Sequence, residues 1–494
     1  MTAATITRAD ARGLVPAGRL YLGGTWLDEA TGGSGLHRDP TTGEPVGPYV
    51  LAGEREVDAA VGAARDAFPQ WRALAPARRR RLLLELADAV EAHADELAAI
   101  TALEIGQPVA AGKAGTVQAA EWFRYYAGWT DKLEGSVAPV APGTVLDYVL
   151  PEPYGVVAAI IPWNGPIIAL ALKAAAALAA GNCVVLKPPE QAPFSSLRFG
   201  ELCEQVGISS GVVNVIPGGA VAGEALCRHP GVDKISFTGG TETARAVALA
   251  AAEHQTPLVL ELGGKSASLV FGDADPAVAG KLAARIAVAQ NSGQGCFLPT
   301  RVFVQRPLYD EVVERIVATA RAFTLGDPFD ADTTMGPVAG EAACARVLGV
   351  IAAAEKGGYG TLLTGGGRPD GALGAGTFVE PTVFGDVDPD SPLAQEEIFG
   401  PVLAVAPFDD EEDGVALANR TRYGLAGYVW TRELGRAHRV ASALSAGYVS
   451  VNGMAALPPS APFGGWNASG HGVEGGRWGI EEFLRLKNVH VSLR

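Results

Sequence analysis

The sequence predicts an α/β fold: a doubly wound parallel sheet followed by a second α/β domain. Three observations carry this. Short apolar runs recur at roughly 20- to 30-residue intervals from residue 151 onward, the spacing of strands that alternate with helices. The stretches between them are rich in Ala and Leu at three- and four-residue spacing, the helical period. The chain has 494 residues, which at about 150 per domain leaves room for roughly three domains.

The elements follow in chain order. Residues 1–55 are Gly- and turn-rich, with short apolar alternation over Leu20–Trp26. Asp39-Pro-Thr-Thr-Gly-Glu44 reads as a turn between short strands. From Glu56 to about Tyr126 the pattern is helical, and Arg78–Arg81 beside Pro76 reads as a solvated helix start. Apolar runs at Val156–Ile161, Cys183–Leu186, Val212–Ile216, Lys234–Phe237 and Leu258–Leu262 read as five strands. A second set follows at Ala267–Phe271, Arg301–Val304, Val402–Ala406 and Leu425–Trp430. The acidic run Asp409–Asp413 opens a helix, where negative charge suits the dipole. Residues 485–494 alternate like a strand.

Composition narrows the function. The net charge of −15 argues against nucleic acid, whose phosphates select clustered Lys and Arg. The most apolar stretch, Ile167–Ala180, is interrupted by Lys173 and is shorter than the ~20 residues that span a bilayer. The first twenty residues carry no apolar leader core. Cysteines stand at 183, 203, 227, 296 and 344, an odd number without paired spacing, so free thiols and a cytoplasmic location are expected. The seven histidines show no ligand spacing, and no metal is expected.

Doubly wound sheets bind ligands at the carboxyl ends of their strands, so the residues closing each run carry the chemistry. Asn291-Ser-Gly-Gln-Gly-Cys296 places a cysteine after a Gly-rich stretch that directly follows the helical segment 276–290. The other four cysteines sit among Val, Leu and Ala and read as small core residues. Glu261, at a strand end before two glycines, suits a general base; an ion pair with Lys265 fits the same pattern equally well. Asn164 offers an amide donor for an oxyanion, or simply forms a turn. Lys187-Pro-Pro-Glu190 fixes a cation and an anion on a stiff loop, a pair that can hold ribose hydroxyls. Thr238-Gly-Gly-Thr-Glu-Thr243 is a strand-to-helix turn able to seat a phosphate on backbone N–H groups, although it is not GxGxxG.

In order, PWN (162–164), KPPE (187–190), FTGGTE (237–242), ELGGK (261–265), GQGC (293–296), EEIFGPV (396–402) and PFGG (462–465) resemble the NAD(P)-dependent aldehyde dehydrogenase superfamily. The resemblance runs from the Asp39–Glu44 turn to the C-terminal strand. It implies a Rossmann-like NAD-binding domain (1–129 and 151–262), a catalytic domain (263–465) and a β oligomerisation element (130–150 and 480–494). It implies a homodimer or homotetramer acting on a small-molecule aldehyde, with no nucleic-acid or membrane partner.

By the same resemblance Cys296 is the nucleophile, Asn164 and the Cys296 amide form the oxyanion hole, and Glu261 activates water. Glu474 and Lys173 join the proton path. Lys187 and Glu190 hold the adenosine ribose, Glu397 and Phe399 the nicotinamide end, and Gly239 and Gly240 the pyrophosphate. Ile161, Pro162, Trp163, Gly219 and Leu262 complete the cofactor set. Glu190 implies NAD, because a carboxylate repels a 2′-phosphate. Glu261 argues against transfer to coenzyme A, since only hydrolysis needs such a base.

Departures from the family pattern are Gly240 where Ser is usual, Ala244 at a frequent Gly, and a Glu261–Cys296 separation one residue longer than usual. The sequence places that extra residue in Asp273–Lys281. Gly165 and Leu172 stand where aromatics are frequent, which implies room for a bulky or cyclic aldehyde walled by Phe297, Phe463 and Trp122.

Overall fold

The computed structural model describes residues 6–140, 143–453 and 456–493. Ala141, Pro142, Met454, Ala455 and Arg494, which fall in the segments assigned above, lie outside the described residues.

The first sheet has five parallel strands at its centre. Val156–Ile160 lies in the middle, with Cys183–Lys187 and Val213–Val215 on one side and Lys234–Gly239 and Leu258–Leu262 on the other. The chain therefore leaves the middle in one direction, returns, and leaves in the other. A crevice opens where the order reverses, between Val156–Ile160 and Lys234–Gly239. Both edges are closed by antiparallel additions. The hairpin Leu20–Leu22 and Thr25–Leu27 joins one, and Gly470–His471 joins the other beside Leu260 and Glu261. The last pairing brings a C-terminal segment to the crevice, and nothing in its two-residue length signals a strand in the sequence.

Helix Pro166–Ala180 shows why the crevice is rigid. Pro166 occupies its first turn, and Gly181 ends it at φ +99, a conformation that suits glycine. Ala and Leu bury almost the whole helix, and Lys173 is buried with them. Helices over 54–127 form the layer beneath. Arg78–Arg81 is not wholly solvated as expected: Arg79 is buried and donates to the Trp71 carbonyl.

The second sheet carries seven strands. Thr382–Gly385, Val402–Phe408, Arg301–Gln305, Ala267–Val270, Ala426–Trp430 and Tyr448–Val451 run parallel, and Thr361–Thr364 pairs antiparallel at one edge. The sequence reading missed Thr361–Thr364, Thr382–Gly385 and Tyr448–Val451, four-residue strands without a sustained period, the first and last of them at the edges of the sheet. Helix Glu411–Asn419 does begin in the acidic run, with the Asp410 carboxylate accepting from the Asp413 N–H. A third sheet pairs Leu484–Ser492 with Val145–Pro153, and that strand with Ser136–Ala138. No helix among the described residues is long and apolar enough to cross a membrane.

Candidate active site

The loop before Cys296 departs from the continuous helix expected over 276–290. Asp275 caps a helix that runs only from Pro276 to Ala284. It loosens into a π turn at Arg285–Ala289 and a 3₁₀ turn at Gln290–Gly293. Asn291, Ser292 and Gly293 then stand in succession at φ +49, +52 and +72. Such a run costs backbone strain and persists only where the surroundings hold it. Asn291 Nδ2 donates to the Asn164 carbonyl at 2.7 Å and to the Gln294 carbonyl at 3.0 Å. Ser292 Oγ donates to Gly336 at 2.8 Å. Gln294 Oε1 accepts from the Ala339 N–H at 2.9 Å. A Cβ on Gly293 would lie 2.1 Å from the Gly400 carbonyl oxygen, so no larger residue fits.

Asn164 is tied to the same loop, its Nδ2 donating to the Gln294 carbonyl at 2.9 Å. A primary amide has two N–H donors, so one remains for a ligand. Asn291 and Gln294 were not singled out in the sequence. The Asn and Gly of Asn291-Ser-Gly293, residues that tolerate left-handed backbone, were the available signal.

Of the five free cysteines, Cys296 alone is not fully buried. Its sulfur is nevertheless desolvated, and this, with the charges of Glu261 and Glu397, holds its pKa well above the ordinary thiol range. Glu261 is buried and neither carboxylate oxygen has a hydrogen-bond partner. Desolvation, then repulsion from Glu474, raises its pKa well above the ordinary carboxylate value, while Lys173 opposes. The alternative ion pair with Lys265 is absent. Lys173 Nζ instead bonds Glu474 Oε1 at 2.8 Å and Ser236 Oγ at 3.1 Å, wholly buried. Glu474 is held by paired backbone bonds with Phe463, which joins the PFGG stretch to the crevice.

These groups share one cavity of about 790 Å³, lined by Asn164, Glu261, Cys296 and Glu474. Gly165, Leu172, Phe297 and Phe463 also line it, as does a small-residue face of helix Val109–Ala127 that includes Ala111 and Gly115. Trp122 is not a wall as expected: it is buried in the core, its indole N–H on the Leu457 carbonyl.

Two further clusters flank the crevice. Lys187, buried, donates to the Gly218 carbonyl, and burial pushes its pKa down to about 8 against the pull of Glu190. Glu190 lies over Gly219, where a Cβ would come 2.9 Å from its carboxylate. At the next strand end Gly239 packs under the Phe237 ring, and Gly240, open to space on its Cα, caps helix Thr241–Ala252. Ala244 is buried in that helix. On the other side Glu397 Oε1 accepts from the Gly264 N–H at 3.0 Å. Phe399, at φ +56, meets Trp163 edge-on with centroids 5.4 Å apart. Pro162 lines the Cys296 cavity, while Ile161 and Leu262 are buried at the ends of their strands. Of the residues marked in the sequence, Pro162, Asn164, Glu261, Cys296 and Glu474 line the one cavity, and Trp122 does not.

A thiol, an amide donor and a buried carboxyl thus meet in one cavity beside a doubly wound sheet, the arrangement of an α/β enzyme. The comparisons sharpen this. Residues 26–489 match the aldehyde dehydrogenase family, and the chain belongs to it. It is 40% identical to the mitochondrial aldehyde dehydrogenase of Homo sapiens over 481 residues, 96% of this chain and 92% of that one. The crystal structure of PnpE from Pseudomonas sp. WBC-3 superposes with a TM-score of 0.94 at 41% identity, covering 97% of this chain and 98% of that one. Betaine aldehyde dehydrogenase from Staphylococcus aureus, solved with NAD+, superposes at 0.96 with 34% identity, covering 98% and 97%.

Proposed function

We propose that this chain oxidises an aldehyde to a carboxylic acid with NAD, through a thiohemiacetal and a thioester on Cys296. The observation that supports this most is the single cavity shared by Cys296, Asn164, Glu261 and Glu474. The Cys296 thiol gives its proton to solvent and its sulfur adds to the carbonyl carbon. The free Asn164 N–H and the Cys296 amide receive the developing oxyanion, each such donor contributing ~10²–10³ in rate. NAD, when bound, accepts the hydride. Glu261 then takes a proton from water, whose oxygen attacks the thioester carbon; the C–S bond breaks, the carboxylic acid leaves and Cys296 is regenerated, and Lys173 with Glu474 carries the proton inward.

The donors present fit the coenzyme. Lys187 and Glu190 supply ribose partners beside Gly219, Gly239 and Gly240 open a helix terminus for the pyrophosphate, and Glu397, Phe399, Trp163, Ile161, Pro162 and Leu262 border the nicotinamide end. Residues 1–129 and 151–262 make the NAD-binding domain and 263–465 the catalytic domain. Five unpaired cysteines favour the cytoplasm.

Glu190→Gln is expected to relax coenzyme choice, raising kcat/KM with NADP relative to NAD by about tenfold, because one close like-charge repulsion of order 1–2 kcal/mol is removed. An unchanged ratio, or a wild type preferring NADP, contradicts the assignment.

The cavity favours a bulky or cyclic aldehyde. Its wall carries Gly165 and Leu172 beside the small-residue face of Ala111 and Gly115, which leaves more room than acetaldehyde fills. Each filled methylene-sized space is worth about 1–3 kcal/mol, so long-chain and aromatic aldehydes should exceed acetaldehyde in kcat/KM by tenfold or more. The reverse order, read from NADH absorbance across an aldehyde panel, refutes it.

The third sheet, 130–150 with 480–494, joins subunits of a homodimer or homotetramer. It leaves Leu486 77% exposed on one outer strand and Val137 70% on the other, apolar surface that an isolated subunit would have to leave in water. Light scattering at micromolar concentration should give at least twice the chain mass; a monomeric mass overturns this.

A further inference from the structure

Behind Glu397 lie two buried cations that the proposed chemistry does not use. Lys265 is 1% exposed and Arg301 2%. Neither has an acidic ion-pair partner among the described residues. Arg301 spends its guanidinium on three carbonyls: Lys265 at 2.8 Å, Leu417 at 3.3 Å and Ala418 at 2.8 Å. Its hydrogen bonds are satisfied and its charge is not. Lys265 Nζ has no hydrogen-bond partner, and neither has the buried Ser266 Oγ next to it.

Both residues line a small cavity of about 20 Å³. That is room for one water-sized occupant. The other polar side chains of the wall are engaged. Asn419 donates to Ala443 and accepts from Ser445. Thr421 accepts from the Tyr423 N–H, and the Tyr423 hydroxyl from Arg422. Ser445 Oγ accepts from Asn467.

We infer that this cavity is a binding site for one small monovalent anion of halide size, held by Lys265 Nζ and Ser266 Oγ in the field of Arg301. Lys265 Nζ and the Ser266 hydroxyl are free to donate, and the Thr421, Tyr423 and Ser445 hydroxyls, acceptors in the bonds above, each keep an O–H, so the side chains of the wall are richer in donors than in acceptors. A water would satisfy those donors but would then have two hydrogens of its own to place. A halide accepts and donates nothing. It also supplies the negative charge that the two cations lack, and an uncompensated buried charge is costly. Burial and Arg301 push the Lys265 pKa down to about 7, while Glu397 and Glu396 oppose this. The amine is therefore poised near neutrality, and an anion beside it favours the ammonium form.

The test uses crystals of the full chain soaked in sodium bromide, with data collected at the bromine absorption edge. An anomalous peak between Lys265 Nζ and Ser266 Oγ is expected, lost in Lys265→Met. In solution, exchanging gluconate for bromide at constant ionic strength should raise Tm in the wild type and not in that variant. A cavity without anomalous signal, or a peak that persists in Lys265→Met, overturns the site. Should Lys265→Met fail to fold, Ser266→Ala removes a single hydroxyl and a weakened peak is expected; one of undiminished strength overturns the assignment equally. None of these readouts depends on turnover, so they stand apart from the proposed oxidation.

Discussion

Cys296→Ala should abolish dehydrogenase turnover, with kcat falling by at least about four orders of magnitude, as when a covalent nucleophile is removed elsewhere. NAD binding, followed by quenching of protein fluorescence, should be unchanged, because Lys187, Glu190 and Glu397 stand on other segments. The backbone should also be undisturbed. The loop is held by Asn291, Ser292 and Gln294, whose bonds run to Asn164, Gly336 and Ala339, and none of them uses the Cys296 side chain. The alternatives for a missing thiol are poor. Cys183, Cys203, Cys227 and Cys344 are all buried, and none of them lines the cavity. Steady-state NADH formation within tenfold of wild type would remove Cys296 from the chemistry.

How far the sequence anticipates this arrangement depends on the range of the forces involved. Strands such as Leu258–Leu262 were legible with their bounds because an apolar run between turn residues is a local signal. The crevice was legible for the same reason: it follows from strand order, and its glycines and prolines mark the strand ends. The tie between Lys173 and Glu474 was not, as it spans 301 residues and replaces a charge buried in an otherwise apolar helix. A lone Lys in such a helix signals a partner without saying which. The unwound turn over 285–293 was equally hidden. Its left-handed residues are held by contacts with Asn164, Gly336 and Gly400, 44 to 127 residues away along the chain for the first two. Local propensity over 276–290 reads as helix, and tertiary contacts override it. The edge strand Gly470–His471 exists only because Leu260 and Glu261 offer it hydrogen bonds.

Glu261→Gln should separate the two halves of the reaction. Addition of Cys296 and oxidation to the thioester need the thiol, the Asn164 N–H and the coenzyme. Hydrolysis needs a base for water. A rapid-quench experiment should therefore give a burst of about one NADH per active subunit, then a steady state lower by about 10²–10⁴, the usual contribution of a positioned base. The pH dependence follows from the same carboxyl. Burial, then repulsion from Glu474, raises its pKa above the ordinary carboxylate value, and its protonated form cannot accept a proton from water. Wild-type kcat, where deacylation limits, should climb as pH rises through that raised value and level off once the carboxylate is ionised. In Glu261→Gln the rising limb should vanish, because no group titrates at that position. The substitution also removes a negative charge facing both Glu474 and the Cys296 thiol, so the thiol pKa should fall and alkylation by iodoacetamide should quicken. Loss of the burst together with the steady state would mean that Glu261 acts chiefly on the thiol, and a burst with an unaltered steady state would remove it from water activation altogether.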